Sequence, residues 1–218
     1  MMTKLRSLLV LLVMAASLTM VAQTYPKYGN PLDIPIQLSA TFAEIRPNHV
    51  HAGLDIKTQS VEGKKVYAVA DGYISRIGVS PYGYGNVLYV THNDGYTSVY
   101  AHLQRFTGEI GKYVKQYQYK NKKYTSQIYP DKDKFPVKRG DLIGYTGNSG
   151  SSGGPHLHFE IRDANERPIN PMFFGYKIED NVRPVILGVS VYPLGDESTL
   201  EGNIKPMYFS LTESPKGK

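Results

Sequence analysis

From Lys65 onward the pattern of apolar and polar residues becomes that of β-strands. Residues 66–70 run into an Asp71-Gly72 turn, and 73–77 follow it as a further strand. Residues 86–91 and 96–103 flank Asn93-Asp94-Gly95, the signature of a hairpin. Segments 142–146 and 156–162 complete the set. In the last of these, Leu157, Phe159 and Ile161 fall on one face, and His156, His158, Glu160 and Arg162 on the other. Between Gln23 and Lys218 no stretch sustains a 3.6-residue apolar stripe. The pattern predicts a mainly β domain of antiparallel strands, spanning 23–175.

Four segments break that rhythm. Residues 26–47 are irregular. Residues 112–136 are polar, with Tyr113, Tyr117, Tyr119, Tyr124 and Tyr129 interleaved among seven lysines. Such interleaving suits contact with glycan or nucleic acid, but the simpler expectation is an inserted, solvated excursion between two strands. Beyond Gly175, 185–192 and 207–211 look like strands, yet a segment of 176–218 is too short to bury a core of its own. It reads as the start of a second β domain or a β segment appended to the first. At the other end, Lys4 and Arg6 precede the apolar run 7–20, and Ala22 offers a cleavage point. Residues 1–22 therefore read as a signal peptide, since the run falls short of the roughly 20 residues that span a bilayer. Export to the periplasm or cell envelope is expected, with no transmembrane span after its removal.

Composition narrows the chemistry. Hydrophobic residues make up 41% and charged residues 20%, which suits a folded globular chain. The formal charge is +6, or +4 without Lys4 and Arg6, too mild and scattered for a nucleic-acid protein though suited to an anionic polymer. Cysteine is absent, so disulfides, thiolate metal sites and thiol nucleophiles are excluded. A metal here must be held by His, Asp or Glu.

All six histidines lie between His49 and His158. His51-Ala-Gly-Leu-Asp55 pairs two zinc-ligand types. A straight strand would hold residues 51 and 55 about 13 Å apart, so the segment must bend, and Gly53 permits it. His156-Leu-His158 places two imidazoles in one groove. Their spacing suits one ligand and one neighbour better than two ligands of one ion. The small-residue loop 147–154 upstream leaves room for a substrate backbone. Tyr100-Ala-His102-Leu adds a third motif, and period-two counting puts Tyr100 and His102 on one face. Together His51, Asp55 and His158 supply three ligands for a Zn2+ ion with a fourth position open. His102 and His156 are the candidate acid–base pair, and Tyr100 a candidate for steadying an oxyanion. His49 is open to a supporting or a surface role, and His92 reads as structural. A serine nucleophile lacks its strand–elbow–helix setting near Ser149–Ser152. A glycosidase lacks a second acid to partner Glu160.

These three motifs, in this order, resemble the lysostaphin/LytM-type zinc endopeptidases of bacterial cell walls. The stretches VYAVADG (66–72), GYGNV (83–87), VKRGDLIGYTGNSG (137–150) and HLHFEI (156–161) extend the resemblance over about 42–171. It implies a groove on an antiparallel sheet, with His51, Asp55 and His158 as zinc ligands and His102 and His156 catalytic. It further implies a zinc metalloendopeptidase that hydrolyses peptide cross-links of peptidoglycan. The alternatives are a non-enzymatic relative that binds the wall or regulates other hydrolases, and a secreted peptidase acting on proteins outside the wall. Degenerate relatives usually lose ligands, and all five positions are present here.

Overall fold

A computed structural model describes residues 24–47, 49–178, 185–195 and 197–211. The signal-peptide reading of 1–22 lies outside the described residues. Contacts divide the chain into two compact units, the break falling between Ile178 and Glu179.

In the first unit the strands in chain order are β1 (Leu38–Ala40), β2 (Leu54–Lys57), β3 (Lys65–Tyr67), β4 (Gly72–Val79), β5 (Asn86–His92) and β6 (Thr97–Phe106). Helix α1 (Gly108–Asn121) follows, and then β7 (Ser126–Ile128), β8 (Pro136–Val137), β9 (Leu142–Thr146), β10 (His156–Arg162) and β11 (Pro168–Ile169). All pairings are antiparallel. The sheet runs β1-β2-β10-β6-β5-β4-β7, while β9 bridges β6 and β3, and β8 and β11 join β4 and β10. The mainly β, antiparallel expectation holds.

Alternation does the sorting. The apolar face of β10 (Leu157, Phe159 and Ile161) is fully buried in the main core with Leu54, Ile56, Ile74, Ile77, Leu88 and Phe174. A smaller cluster of Val87, Tyr89, Val99 and Ala101 packs on the opposite face of β5 and β6. Strand β10 is central to the site because it hydrogen-bonds β2 on one side and β6 on the other.

The segment 112–136 corrects the reading of a solvated excursion, and with it the expectation of no helix. It carries most of α1, whose buried residues are Ile110 and Val114, one turn apart. A stripe that narrow leaves the remaining helix surface to lysine and tyrosine. Glu109 in the first turn and Lys120 in the last complement the helix dipole, and Lys122 closes the helix in a left-handed conformation. After the helix, β7 pairs with β4, with Ile77 opposite Ile128, so the segment extends the sheet.

In the second unit β12 (Gly188–Val191) and β13 (Met207–Ser210) form an antiparallel two-stranded sheet, with Val189 opposite Phe209. No helix among the described residues is long and apolar enough to cross a membrane.

Candidate metal centre and catalytic cleft

Sheet register brings the first three candidates together. Asp55 on β2 lies directly opposite His158 on β10. His51 precedes β2 across a bend at Gly53. A Cβ on Gly53 would sit 2.3 Å from the Phe159 carbonyl oxygen, so glycine is what lets this bend lie against β10. His51 Nε2 stands 3.1 Å from Asp55 Oδ1 and 3.1 Å from His158 Nδ1, and the last two atoms are 2.8 Å apart. Atoms sharing one zinc with bonds near 2.0–2.1 Å lie roughly 3–3.5 Å apart. The three ligand atoms fit a shared ion.

Hydrogen bonds behind the rings settle which nitrogens face forward. His51 Nδ1 lies 2.7 Å from the Thr41 carbonyl, which only accepts, so the proton is on Nδ1 and Nε2 keeps its lone pair. His158 Nε2 lies 2.8 Å from a Glu160 carboxylate oxygen, which leaves Nδ1 as its donor toward the centre. Three electron-rich atoms converging this closely call for a cation. In the chain alone that role falls to a proton. His158 is pushed up to about 9, because the carboxylates of Asp55 and Glu160 outweigh the cost of burying its charge. Burial also works against the Asp55 charge, but hydrogen bonds from His156 and His158 hold its carboxyl far below the ordinary range.

His102 and His156 stand beside this centre, their ring centroids 4.7 Å apart, and His102 is 5.9 Å from His158. Both donate through Nδ1 to backbone carbonyls, His102 to Ser149 at 2.8 Å and His156 to Gly154 at 2.8 Å. His156 Nε2 reaches to 3.5 Å from Asp55 Oδ1. Their environments separate them. Burial lowers His102 to about 4, whereas for His156 the same penalty is outweighed by Asp55 and the Gly154 carbonyl, and its pKa rises. With the triad, these two line a cleft of about 370 Å³ that also includes Arg46, His49 and Tyr84. A neighbouring cavity of about 500 Å³ shares Arg46, Asp55, Gly153 and His156 with it, so a groove runs past the centre.

Residues 49–119 and 124–171 match the sequence pattern of Peptidase family M23. The chain belongs to that family. Among curated relatives, DD-carboxypeptidase/endopeptidase Mpg of Neisseria meningitidis is 33% identical over 123 residues, 56% of this chain and 22% of that protein. Lysostaphin of Staphylococcus simulans is 31% identical over 112 residues, 51% of this chain and 18% of that protein. The chain thus spans about a fifth of the length of these relatives. The crystallised catalytic domain of S. simulans lysostaphin aligns at 26% identity with a TM-score of 0.48, covering 64% of this chain and 91% of that one. A chain of the SpoIIQ-SpoIIIAH pore forming complex aligns at 20% identity with a TM-score of 0.50, covering 69% and 92%. That likeness is one of fold.

Within this M23 chain, one sequence expectation fails. Tyr100 is fully buried, and its hydroxyl accepts from Val69 N at 3.1 Å and from Ser98 Oγ at 2.9 Å. It cannot steady an oxyanion in the cleft. The cause is a bulge: Tyr100 pairs with Leu88 and Leu103 with Asn86, so β6 spends three steps against two on β5. His102 in this bulge has φ 58°. Tyr100 and Leu103 consequently share the core face, and His102 turns to the cleft.

Tyr84 is the aromatic side chain found there instead, its ring 5.3 Å from that of His158. Its backbone carbonyl accepts from His102 N at 2.9 Å, and its hydroxyl donates to Glu160. Gly83 and Gly85 flank it with positive φ, a glycine–aromatic–glycine pattern that is readable in the sequence. Arg46 was also unforeseen. It lies 3.3 Å from Asp55 Oδ2, leaving Oδ1 as the oxygen at the centre. His49 is exposed at the rim of the cleft. His92 is buried, 2.7 Å from Ser98 Oγ and away from the cleft.

Proposed function

We propose that this chain is a zinc-dependent endopeptidase acting on the peptide cross-links of bacterial peptidoglycan, with His51, Asp55 and His158 holding the ion. The observation that carries the reading is the convergence of these three ligand atoms beside two further histidines of opposed proton affinity. The M23 fold alone would not carry it, since fold does not fix function. When bound, zinc supplies a Lewis acid for a peptide carbonyl and a means of activating water near neutral pH.

The chain's own groups supply the rest. His102, neutral at working pH with Nδ1 tied to Ser149, has Nε2 free to take a proton. His156, whose charged form is favoured beside Asp55, holds a proton that it can give to the departing amine. The glycine-rich turn 150–154 borders the groove without large side chains, which suits an extended peptide lying close to the backbone. A D-alanyl or glycyl cross-link is small enough for such a channel. The relatives named for DD-endopeptidase or glycyl-glycine activity support this substrate class. Export to the envelope, read from residues 1–22, would deliver the enzyme to it.

Digesting isolated sacculi and identifying the released muropeptides by mass spectrometry tests the proposal. Zinc-loaded protein should cut peptide cross-links, and His51→Ala or chelation should abolish the cutting. Sacculi left intact by protein that holds one zinc per chain would refute it. The reading of a wall-binding or hydrolase-regulating protein would then stand in its place.

A further inference from the structure

The chemistry proposed for the cleft uses five residues, yet it leaves the least accessible acid of the site without a task. Glu160 is 0% exposed. A carboxylate buried this deeply is costly unless every lone pair is engaged. Its Oε1 accepts from His158 Nε2 at 2.8 Å and from the Tyr84 hydroxyl, and its Oε2 accepts from Arg162 Nε at 2.7 Å. Arg162 closes the ring by donating through a terminal nitrogen to the Tyr84 oxygen at 3.3 Å. His158, Glu160 and Arg162 stand in one row on the polar face of β10, each two residues from the next.

We infer that Glu160, braced by Arg162 and Tyr84, is a positioning residue that fixes the tautomer of His158 and so sets the metal affinity of the centre. Held through Nε2, the imidazole has only Nδ1 to offer toward Asp55 and His51. In the other tautomer an N–H would point at the place where the three ligand atoms meet. His51 receives the same service from the neutral Thr41 carbonyl, so Glu160 adds something that Thr41 does not, a full negative charge that strengthens its ligand as a donor. Arg162 balances that charge, which keeps the proton on the imidazole. The inference rests on the metallopeptidase reading, but its test is separable from it.

The test compares wild type with Glu160→Gln and with the double variant E160Q/R162M, which removes the stranded cation together with the anion. Zinc affinity is measured by competition with a chromophoric chelator. The His158 tautomer is read by 15N NMR of the zinc-loaded protein, a signature that a purely structural role would not move. Zinc affinity should fall about 10- to 100-fold, and the Nε2 proton signal of His158 should shift and exchange faster. If Glu160→Gln does not melt cooperatively, the double variant decides. A folded variant that binds zinc as tightly as wild type, with the His158 signals unchanged, overturns the inference alone. Wild type that takes up no zinc overturns it together with the metallopeptidase reading.

Discussion

His102 owes its place in the cleft to a backbone conformation that a residue with a Cβ disfavours. At φ 58° it occupies the left-handed region, at a cost of about 1–2 kcal/mol for a non-glycine residue. Its amide held by the Tyr84 carbonyl and its ring by the Ser149 carbonyl offset that cost. Two substitutions separate chemistry from strain. His102→Ala and His102→Gly should both keep one zinc per chain while muropeptide release falls about 10²- to 10⁴-fold. Chemical denaturation should find the glycine variant the more stable by about 1 kcal/mol, because glycine alone is relieved of the left-handed penalty. Equal stability of the two would mean that no strain is stored there, and loss of zinc from either would move His102 into the ligand set. The same backbone explains why period-two counting puts Tyr100 on the wrong face. Period-two counting holds only while the strand is regular, and nothing in the string Tyr-Ala-His-Leu announces a bulge. The candidate triad was legible because His51, Asp55 and His158 are defined by residue type and motif. Arg46 carried no such signal. It enters the site because residues 43–46 pair back onto 49–51, which sets its guanidinium against Asp55.

At the scale of elements, the centre depends on how closely β2 and β10 approach. Gly53 sets that distance: an added methyl would meet the Phe159 carbonyl oxygen at 2.3 Å and its carbonyl carbon at 2.9 Å, both backbone atoms that cannot rotate away. Gly53→Ala should therefore push β2 from β10 and destabilise the domain by about 1–3 kcal/mol. Because Asp55 and His158 face each other across that same pair of strands, zinc affinity should fall in step. Urea unfolding of the chelator-treated protein and zinc titration of the folded variant check the two parts separately. A variant of wild-type stability and affinity would show that the strands adjust freely. The elements themselves were legible to unequal degrees. Strand β10 follows from strict alternation because one of its faces lies in the core, and β4, β5, β6 and β9 follow from short apolar runs bounded by turn signals. Helix α1 was not legible, since only Ile110 and Val114 are buried and its other faces read as a solvated lysine–tyrosine stretch. Two buried positions at i and i+4 are below what a periodicity count can separate from chance.

Over the whole molecule, titrating groups of opposite tendency divide the pH scale. His92 and His102 are buried in environments that disfavour their charge, so the unfolded chain takes up their protons first as pH falls below about 6.5. Stability tied to them is present above that pH and is lost toward their depressed folded values, about 4 for His102. His158 acts in the other direction. Without metal its folded-state pKa near 9 stabilises the domain fully below about 6.5, and that contribution drains away as pH rises to 9. The loss amounts to about 3 kcal/mol at one pH unit per 1.4 kcal/mol. Protein stripped by a chelator should thus melt highest near pH 6.5 and lower on both sides. Zinc reverses the upper limb. The ion must displace the His158 proton, so its affinity should climb about tenfold per pH unit between 6.5 and 9, and the melting increment it gives should grow over the same window. Calorimetric melts at pH 6, 7, 8 and 9, with and without zinc, measure both limbs. An increment that stays level with pH would show that His158 does not hold the proton that the ion replaces. The convergence of three lone pairs would then need another cation to explain it.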